Sequence, residues 1–226
     1  MTSPAYLLAV SGGVDSIFML RFMAKNSNCA LRVAHFNHGL REQAAEEEAM
    51  VRDMCRELGI ECHVGYGDPE GMRLSRSLEA EARRQRYAFF DSIKASDELI
   101  VTGHHANDQL ETIILRLMRG YPHDHLRMQP RSGDRYRPFL YVPKAEIVSQ
   151  ATKRRYRWLE DASNDDIRHE RNWVRHVLIP EMSKGRNILK SMVYSSLTAE
   201  RTFLAAEDSD FDPEANEQPR PSGPRL

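Results

Sequence analysis

Apolar positions along the chain fall into short runs separated by turn residues. The first run, residues 6–10, lies between Pro4 and Ser11-Gly12-Gly13 and predicts a buried strand. Residues 14–23 then predict a helix with Val14, Ile17, Phe18 and Phe22 on one face. Residues 31–36 predict a second strand, and residues 42–58, rich in Ala, Glu and Met, a helix closed by Gly59. A third strand is expected over 60–64, followed by a connection containing Gly and Pro. A long helix over 77–93 carries Leu78, Ala82, Phe89 and Ile93 at helical spacing. Residues 99–102 predict a fourth strand. Asn107 can cap the next helix, where Leu110, Ile113, Ile114 and Leu117 fit the i, i+3, i+4, i+7 template and Gly120 ends the pattern. Four alternations of strand and helix specify an α/β fold, a parallel sheet flanked by helices. Beyond Gly120 the pattern gives an arginine-rich loop, a short strand over 139–142, a helix opened by Pro143 and a helical stretch from about 172 into the 190s.

A chain of 226 residues can bury a core without disulfides or a structural metal, and it suits one domain with a small appendage. Cys29, Cys55 and Cys62 form no CxxC pair, and an odd count fits a reducing compartment better than a secreted scaffold. No run approaches the roughly 20 apolar residues of a membrane span. No positively charged stretch precedes an apolar one at the N-terminus, so no signal peptide is expected and a cytoplasmic location is. The formal net charge of −1 hides an asymmetry. Residues 207–226 hold six acidic residues, two basic ones and four prolines, an expected disordered tail. The mildly basic remainder, residues 1–206, is the expected catalytic domain, its last 50 or so residues a helical extension. Six arginines against two aspartates lie between Arg116 and Arg137, which permits a nucleic-acid partner as readily as a solvated face.

Ser11-Gly12-Gly13-Val14-Asp15-Ser16 stands where the first strand turns into the first helix. Two glycines let backbone approach a ligand, and the helix start offers free N–H groups and a positive dipole end. This is the composition of a phosphate cradle, without the lysine of the usual P-loop. Asp15 would repel bare phosphate, which points to Mg²⁺ between them. A tight turn capped by serines would look the same. Gly65-Tyr66-Gly67-Asp68-Pro69-Glu70-Gly71 imitates a dinucleotide fingerprint, but its third glycine is one place late and no helix is expected there, so it reads as a loop. His169-Glu170 begins like a zinc-protease motif, yet His176 is off the required spacing. His35 and His38 flank a strand end, where a helix-borne metal pair is implausible. His104-His105-Ala106-Asn107-Asp108 follows the fourth strand, at the same sheet edge as the cradle, and could orient phosphate, hold a metal, move a proton or simply cap a helix.

At this point the chain resembles a known family. Ser-Gly-Gly-x-Asp-Ser after the first strand is similar to the loop of N-type ATP pyrophosphatases (PP-loop ATPases, with the adenine-nucleotide alpha-hydrolase-like fold), and the further blocks narrow the resemblance to tRNA(Ile)-lysidine synthetases. Those blocks are His35-Phe36-Asn37-His38-Gly39-Leu40-Arg41, the helix from Glu79 to Tyr87, and Gly103 to Thr112. Arg116-Leu117-Met118-Arg119-Gly120, Arg137-Pro138-Phe139-Leu140, Glu160 to Asp166 and Arg171 to His176 complete the set. The run Tyr121 to Met128 stands where the family carries a glycine-rich loop, and many members continue into C-terminal domains that grip the tRNA acceptor stem.

The resemblance implies a ligase that uses ATP and Mg²⁺ to join free L-lysine to the wobble cytidine of a tRNA(Ile) with a CAU anticodon. The carbonyl oxygen on carbon 2 of the base would attack the α-phosphate, releasing pyrophosphate, and the lysine amine would then displace AMP to give lysidine. It further implies nucleotide binding by Ser11, Gly12, Gly13, Val14, Asp15, Ser16, His35 and His104, with Asp15 also the metal ligand. Catalysis would fall to Asp15, His105 and Asp108, with Arg83, Arg116 or Arg171 neutralising the reacting phosphate. A homodimer or a partner subunit could supply further tRNA contacts. The competing readings are a non-catalytic RNA- or adenine-nucleotide-binding module, and a relative modifying another tRNA, for example by 2-thiolation. The thiolation reading is opposed by the lack of paired cysteines in the sequence.

Overall fold

A computed structural model describes residues 5–40, 43–160 and 166–193. Arg41, part of the acidic run over 161–165, the domain boundary at 206 and the acidic tail lie outside the described residues. The chain runs β1 (Ala5–Ala9), α1 (Val14–Asn26), β2 (Ala30–Asn37), α2 (Ala44–Leu58), β3 (Glu61–Tyr66), α3 (Pro69–Leu74), α4 (Leu78–Ile93), β4 (Glu98–Val101) and α5 (Ala106–Met118). Two short strands, β5 (Arg131–Ser132) and β6 (Arg135–Tyr136), precede α6 (Lys144–Lys153), α7 (Glu170–Trp173), a π-helical turn (Val174–Leu178) and α8 (Ile179–Met182).

The sheet order is β3-β2-β1-β4-β6-β5, parallel throughout except for the β5–β6 pair. Chain order therefore reverses between β1 and β4: β2 and β3 build outward on one side, β4 and β6 on the other. Such a switch point opens a crevice at the carboxyl ends of the strands, where ligands bind in open α/β sheets. Both faces of β1 are covered. Leu8 packs with Ile17, Met19, Leu20, Val51 and Ile147, while Leu7 packs with Ala34, Phe36, Phe90 and Ile100 on the other face. A strand buried on both sides must be apolar throughout, which is why it reads as a run rather than an alternation.

The structure corrects four local expectations. A helix does open after the Gly65–Gly67 segment: the Asp68 carboxylate accepts the N–H groups of Glu70 (3.1 Å) and Gly71 (3.0 Å), and Pro69 takes a first-turn position that needs no donor. The strand expected over 139–142 is a turn. Phe139 and Leu140 are buried there, and the actual strand, Arg135–Tyr136, pairs upstream with β4. Flanked by Pro138 and Pro143, this apolar run fills the core without joining the ladder. Asn107 is not the cap of α5; its Oδ1 accepts the Lys144 N–H at 3.0 Å, and His105 caps instead. The helical stretch expected from 172 is present as α7, the π turn and α8, but it breaks at residues 183–187 before helix resumes over 188–193. Pro180 lacks the N–H that a regular helix would donate one turn back, and the widened turn ends just before it.

Candidate active site

The cradle forms as its sequence dictates. Gly12 has φ of +104°, a conformation that a Cβ would strain, and the Ser16 hydroxyl stitches the loop. It accepts from the N–H groups of Ser11 (3.1 Å) and Gly12 (3.2 Å) and donates to the Gly13 carbonyl at 2.9 Å. No side chain caps α1, so its first-turn N–H groups face the crevice, the arrangement that binds phosphate at a helix start. Gly103, after β4, lies so close that a Cβ would meet the Asp15 carbonyl oxygen at 3.0 Å and the Ser16 nitrogen at 3.2 Å. A third segment secures the loop from above, with the Leu159 N–H donating to the Gly12 carbonyl at 3.1 Å.

These segments enclose a cavity of about 720 Å³ at the switch point. Ser11, Gly13, Asp15, Ser16, His104 and Asp108 line it, as do Tyr87 and Arg86 of α4, Lys144 of α6, Trp158, and Arg175 with His176 of the π turn. One cavity thus collects residues from nearly the whole described chain. Asp15 Oδ2 lies 3.5 Å from His105 Nε2 and 3.6 Å from Lys144 Nζ, while Oδ1 is buried and has no partner among the described residues. An orphaned carboxylate oxygen beside two hydroxyls and a phosphate cradle fits a Mg²⁺ ion, which takes one or two carboxylates and completes its shell with phosphate oxygens and water.

His105 is buried, 2% exposed, and joins helix to cradle. Its Nδ1 accepts the Asp108 N–H (3.3 Å) while the Asp108 carboxylate accepts the His105 N–H (3.0 Å), a reciprocal capping box. With Nδ1 accepting, Nε2 is the donor, directed at Asp15. His104 meets the Thr102 hydroxyl through Nδ1 at 2.7 Å. Burial pushes its pKa down to about 4; the Asp108 charge opposes this, and Arg137, Arg171 and Arg83 add to it, so the ring is neutral at pH 7. Burial works against the Asp108 carboxylate, but His105, His104 and Arg171 outweigh it and hold its pKa below the ordinary range.

Behind this edge lies a charge cluster. Glu111, fully buried on α5, accepts from Arg171 Nε at 2.8 Å and from Arg175 Nε at 2.6 Å and Nη2 at 3.0 Å. Both guanidiniums also approach Asp108 Oδ1, at 3.8 and 3.7 Å. Arg171 is therefore neutralised by Glu111 and Asp108 and does not line the cavity. Arg116 donates to the carbonyls of His125 (2.7 Å) and Arg127 (3.0 Å), and the buried Gln109 amide bonds both backbone groups of Met128 at 2.8 Å. Together they hold the loop over 121–130 onto α5. Arg83 stacks over the Tyr87 ring, 4.7 Å from its centroid. His35 is buried outside the cavity, its Nδ1 on the Val10 carbonyl at 2.8 Å at the root of the cradle.

The sequence reading missed Lys144, Glu111, Arg175 and Trp158. For Arg175 and Glu111 a signal existed: a buried-face glutamate on an amphipathic helix needs cations, and Arg171 and Arg175 are one turn apart. The cysteines also differ from expectation. Cys55 and Cys62 are neighbours in space, and each acts on the other's thiol, pushing Cys55 up and Cys62 down. They sit in the core and not on the cavity.

A family model described as a PP-loop domain matches residues 1–182. The tRNA(Ile)-lysidine synthase of Chlorobaculum tepidum is 40% identical over 185 residues, covering 78% of this chain and 56% of the relative. That of Chlamydia caviae is 34% identical over 198 residues, covering 84% of this chain and 62% of the relative. The chain thus spans little more than half the length of such relatives. Among solved structures, the U34-tRNA thiolase NcsA from Methanococcus maripaludis, with its [4Fe-4S] cluster, shares the fold at a TM-score of 0.66 and 15% identity, over 96% of this chain and 80% of that one. With a cradle, a switch-point crevice and a model match over most of its length, this chain belongs to the PP-loop domain family.

Proposed function

We propose that the protein is an ATP-dependent ligase that joins lysine to the wobble cytidine of tRNA(Ile). The observation that carries this is the match, at 34–40% identity over most of the chain, to relatives named tRNA(Ile)-lysidine synthase. The cavity supports it chemically. The cradle over 11–16 and the α1 start receive the β- and γ-phosphates, where oriented N–H groups stabilise charge that builds on the leaving pyrophosphate. Asp15 would hold Mg²⁺, which neutralises phosphate charge when bound. The carbonyl oxygen on carbon 2 of the cytosine attacks the α-phosphate, and the bond to pyrophosphate breaks. The lysine amine then attacks carbon 2, AMP leaves, and the amine gives up a proton. His105 fixes Asp15 relative to α5, while neutral His104 is a hydrogen-bonding group at the reacting edge. Arg175, neutralised behind by Glu111, presents its outer face to the cavity.

Labelled lysine, ATP and Mg²⁺ with an unmodified tRNA(Ile) transcript bearing CAU test this directly, with pyrophosphate followed in the same tube. The parent incorporates lysine and Asp15→Ala does not. Pyrophosphate release without lysine incorporation would move the reaction to another nucleophile. Absence of both would remove the catalytic reading. The thiolase likeness extends to fold alone, and no cysteine lines this cavity.

A further inference from the structure

Where Arg86 and Tyr87 of α4 line the cavity, positive charge gathers with little acidic compensation. Three guanidiniums surround the Tyr87 ring: Arg135 at 4.1 Å from its centroid, Arg83 at 4.7 Å and Arg86 at 5.6 Å. Arg83, Arg86 and Arg137 have no carboxylate within ion-pair distance among the described residues. Arg135 has only long ion pairs, with Asp91 at 3.7 Å and Asp134 at 3.6 Å. Arg137 donates through Nη1 to the Gln129 carbonyl at 2.9 Å, and its Nε is buried with no partner among the described residues. Burial pushes the pKa of Arg137 down against the opposing Tyr87, and neighbouring Arg135, Arg83 and Arg116 push it further; burial does the same to Arg86, with Arg83 adding and Tyr87 and Glu79 opposing. Guanidiniums crowded together with so little acidic compensation are costly to keep, most of all the partly buried Arg86 and Arg137. A polyanion across all four removes that cost.

We propose that Arg83, Arg86, Arg135 and Arg137 form a phosphate-binding wall for the single-stranded RNA backbone flanking the reacting base. This rests on the RNA-ligase reading above. ATP is the weaker occupant, because its phosphates already have the cradle. Arginine forks suit phosphate oxygens, and α4 with β6 and the residue after it gathers these four around Tyr87. An unstacked loop nucleotide can then enter the cavity while its neighbours' phosphates rest on the wall.

The test uses the whole chain and the unmodified tRNA(Ile) transcript, with binding measured from 50 to 300 mM salt. In Arg135→Ala/Arg137→Ala we expect about tenfold or greater weakening at low salt and a log–log salt slope shallower by about 1.4, two single-strand phosphate contacts. Arg83→Glu, an exposed change that leaves the core untouched, shifts in the same direction, and Arg135→Lys/Arg137→Lys retains most of the slope. Arg56→Ala, at the other end of the sheet and paired with Asp53, binds as the parent does. ATP affinity measured by calorimetry without RNA stays unchanged in the double alanine variant. An unchanged salt slope in that variant overturns the wall, as does lost ATP affinity with RNA binding intact. RNA binding that depends on these arginines without lysine incorporation sustains the wall and defeats the ligase reading. Incorporation with RNA binding indifferent to them does the reverse.

Discussion

Glu111 shows how one residue joins stability to the site. Its carboxylate is fully buried, and two arginines that are about one-quarter to one-third exposed converge on it. Removing one partner of a buried pair costs about 3–5 kcal/mol, and the exposed side of these arginines lowers the expected loss to about 2–3 kcal/mol. Glu111→Gln should therefore lower stability by that amount in denaturant unfolding, and reduce turnover further because Arg175 swings from the cavity. A stability equal to the parent's would show that the two arginines pair with Asp108 instead. His104 gives a pH signature. Unfolded, its imidazole binds a proton below about pH 6.5, whereas folded it does so only near pH 4. The unfolded state binds more protons between those values, so the contribution is complete above pH 6.5 and fades as pH falls to 4. His104→Gln should flatten stability across that window by on the order of 1–3 kcal/mol, seen as a smaller drop in urea midpoint between pH 7 and 4. An identical drop in both proteins would mean that the ring is not held neutral.

At the scale of elements, the short segments between helices decide the site. Gly103 ends β4 against the backbone of Asp15 and Ser16, so Gly103→Ala should force the cradle from the strand edge. The expected result is about 1–3 kcal/mol of destabilisation and at least a tenfold weaker affinity for ATP by calorimetry; an alanine variant with parental affinity would show that the loop gives way freely. Elements with a long period were legible in the sequence: α1, α2, α4 and α5 begin and end within a few residues of their apolar patterns, and the four parallel strands follow from the runs between them. What escaped was built by local chemistry rather than period. The helix α3 depends on Asp68 and Pro69, two residues that also signal a turn. His105 took the cap from Asn107 because its imidazole and the Asp108 carboxylate satisfy each other's N–H groups, while Asn107 serves the start of α6. The run over 139–142 is apolar because it is buried and not because it is a strand. Of the site, the cradle and the His104–Asp108 segment were readable as motifs. Arg175 left only the indirect signal of a buried glutamate in need of cations, and Lys144 left none, because a contact made across more than a hundred residues of chain has no local pattern.

For the molecule as a whole, the crevice couples distant parts. The cradle follows β1, Gly103 and the histidines follow β4, Tyr87 comes from α4, and Arg175 arrives from the π turn through Glu111. A ligand there touches both sides of the switch point and the C-terminal segment together, so binding should stabilise the folded chain as one unit rather than tighten a loop. At a nucleotide concentration one hundred times its dissociation constant the linkage is about 2.7 kcal/mol, which for a chain of this size raises the melting temperature by roughly 5–10 °C. ATP with Mg²⁺ should produce that rise in a thermal melt followed by circular dichroism, with one transition. Asp15→Ala should lower the melt without ligand only slightly, since Oδ1 makes no internal bond and Oδ2 makes only long contacts with His105 and Lys144, and it should lose most of the rise. An ATP-dependent shift in the variant equal to the parent's would take Asp15 out of the phosphate site. A shift confined to one of two separate transitions would show that the segment carrying Arg175 folds independently of the sheet, and that Glu111 does not join them.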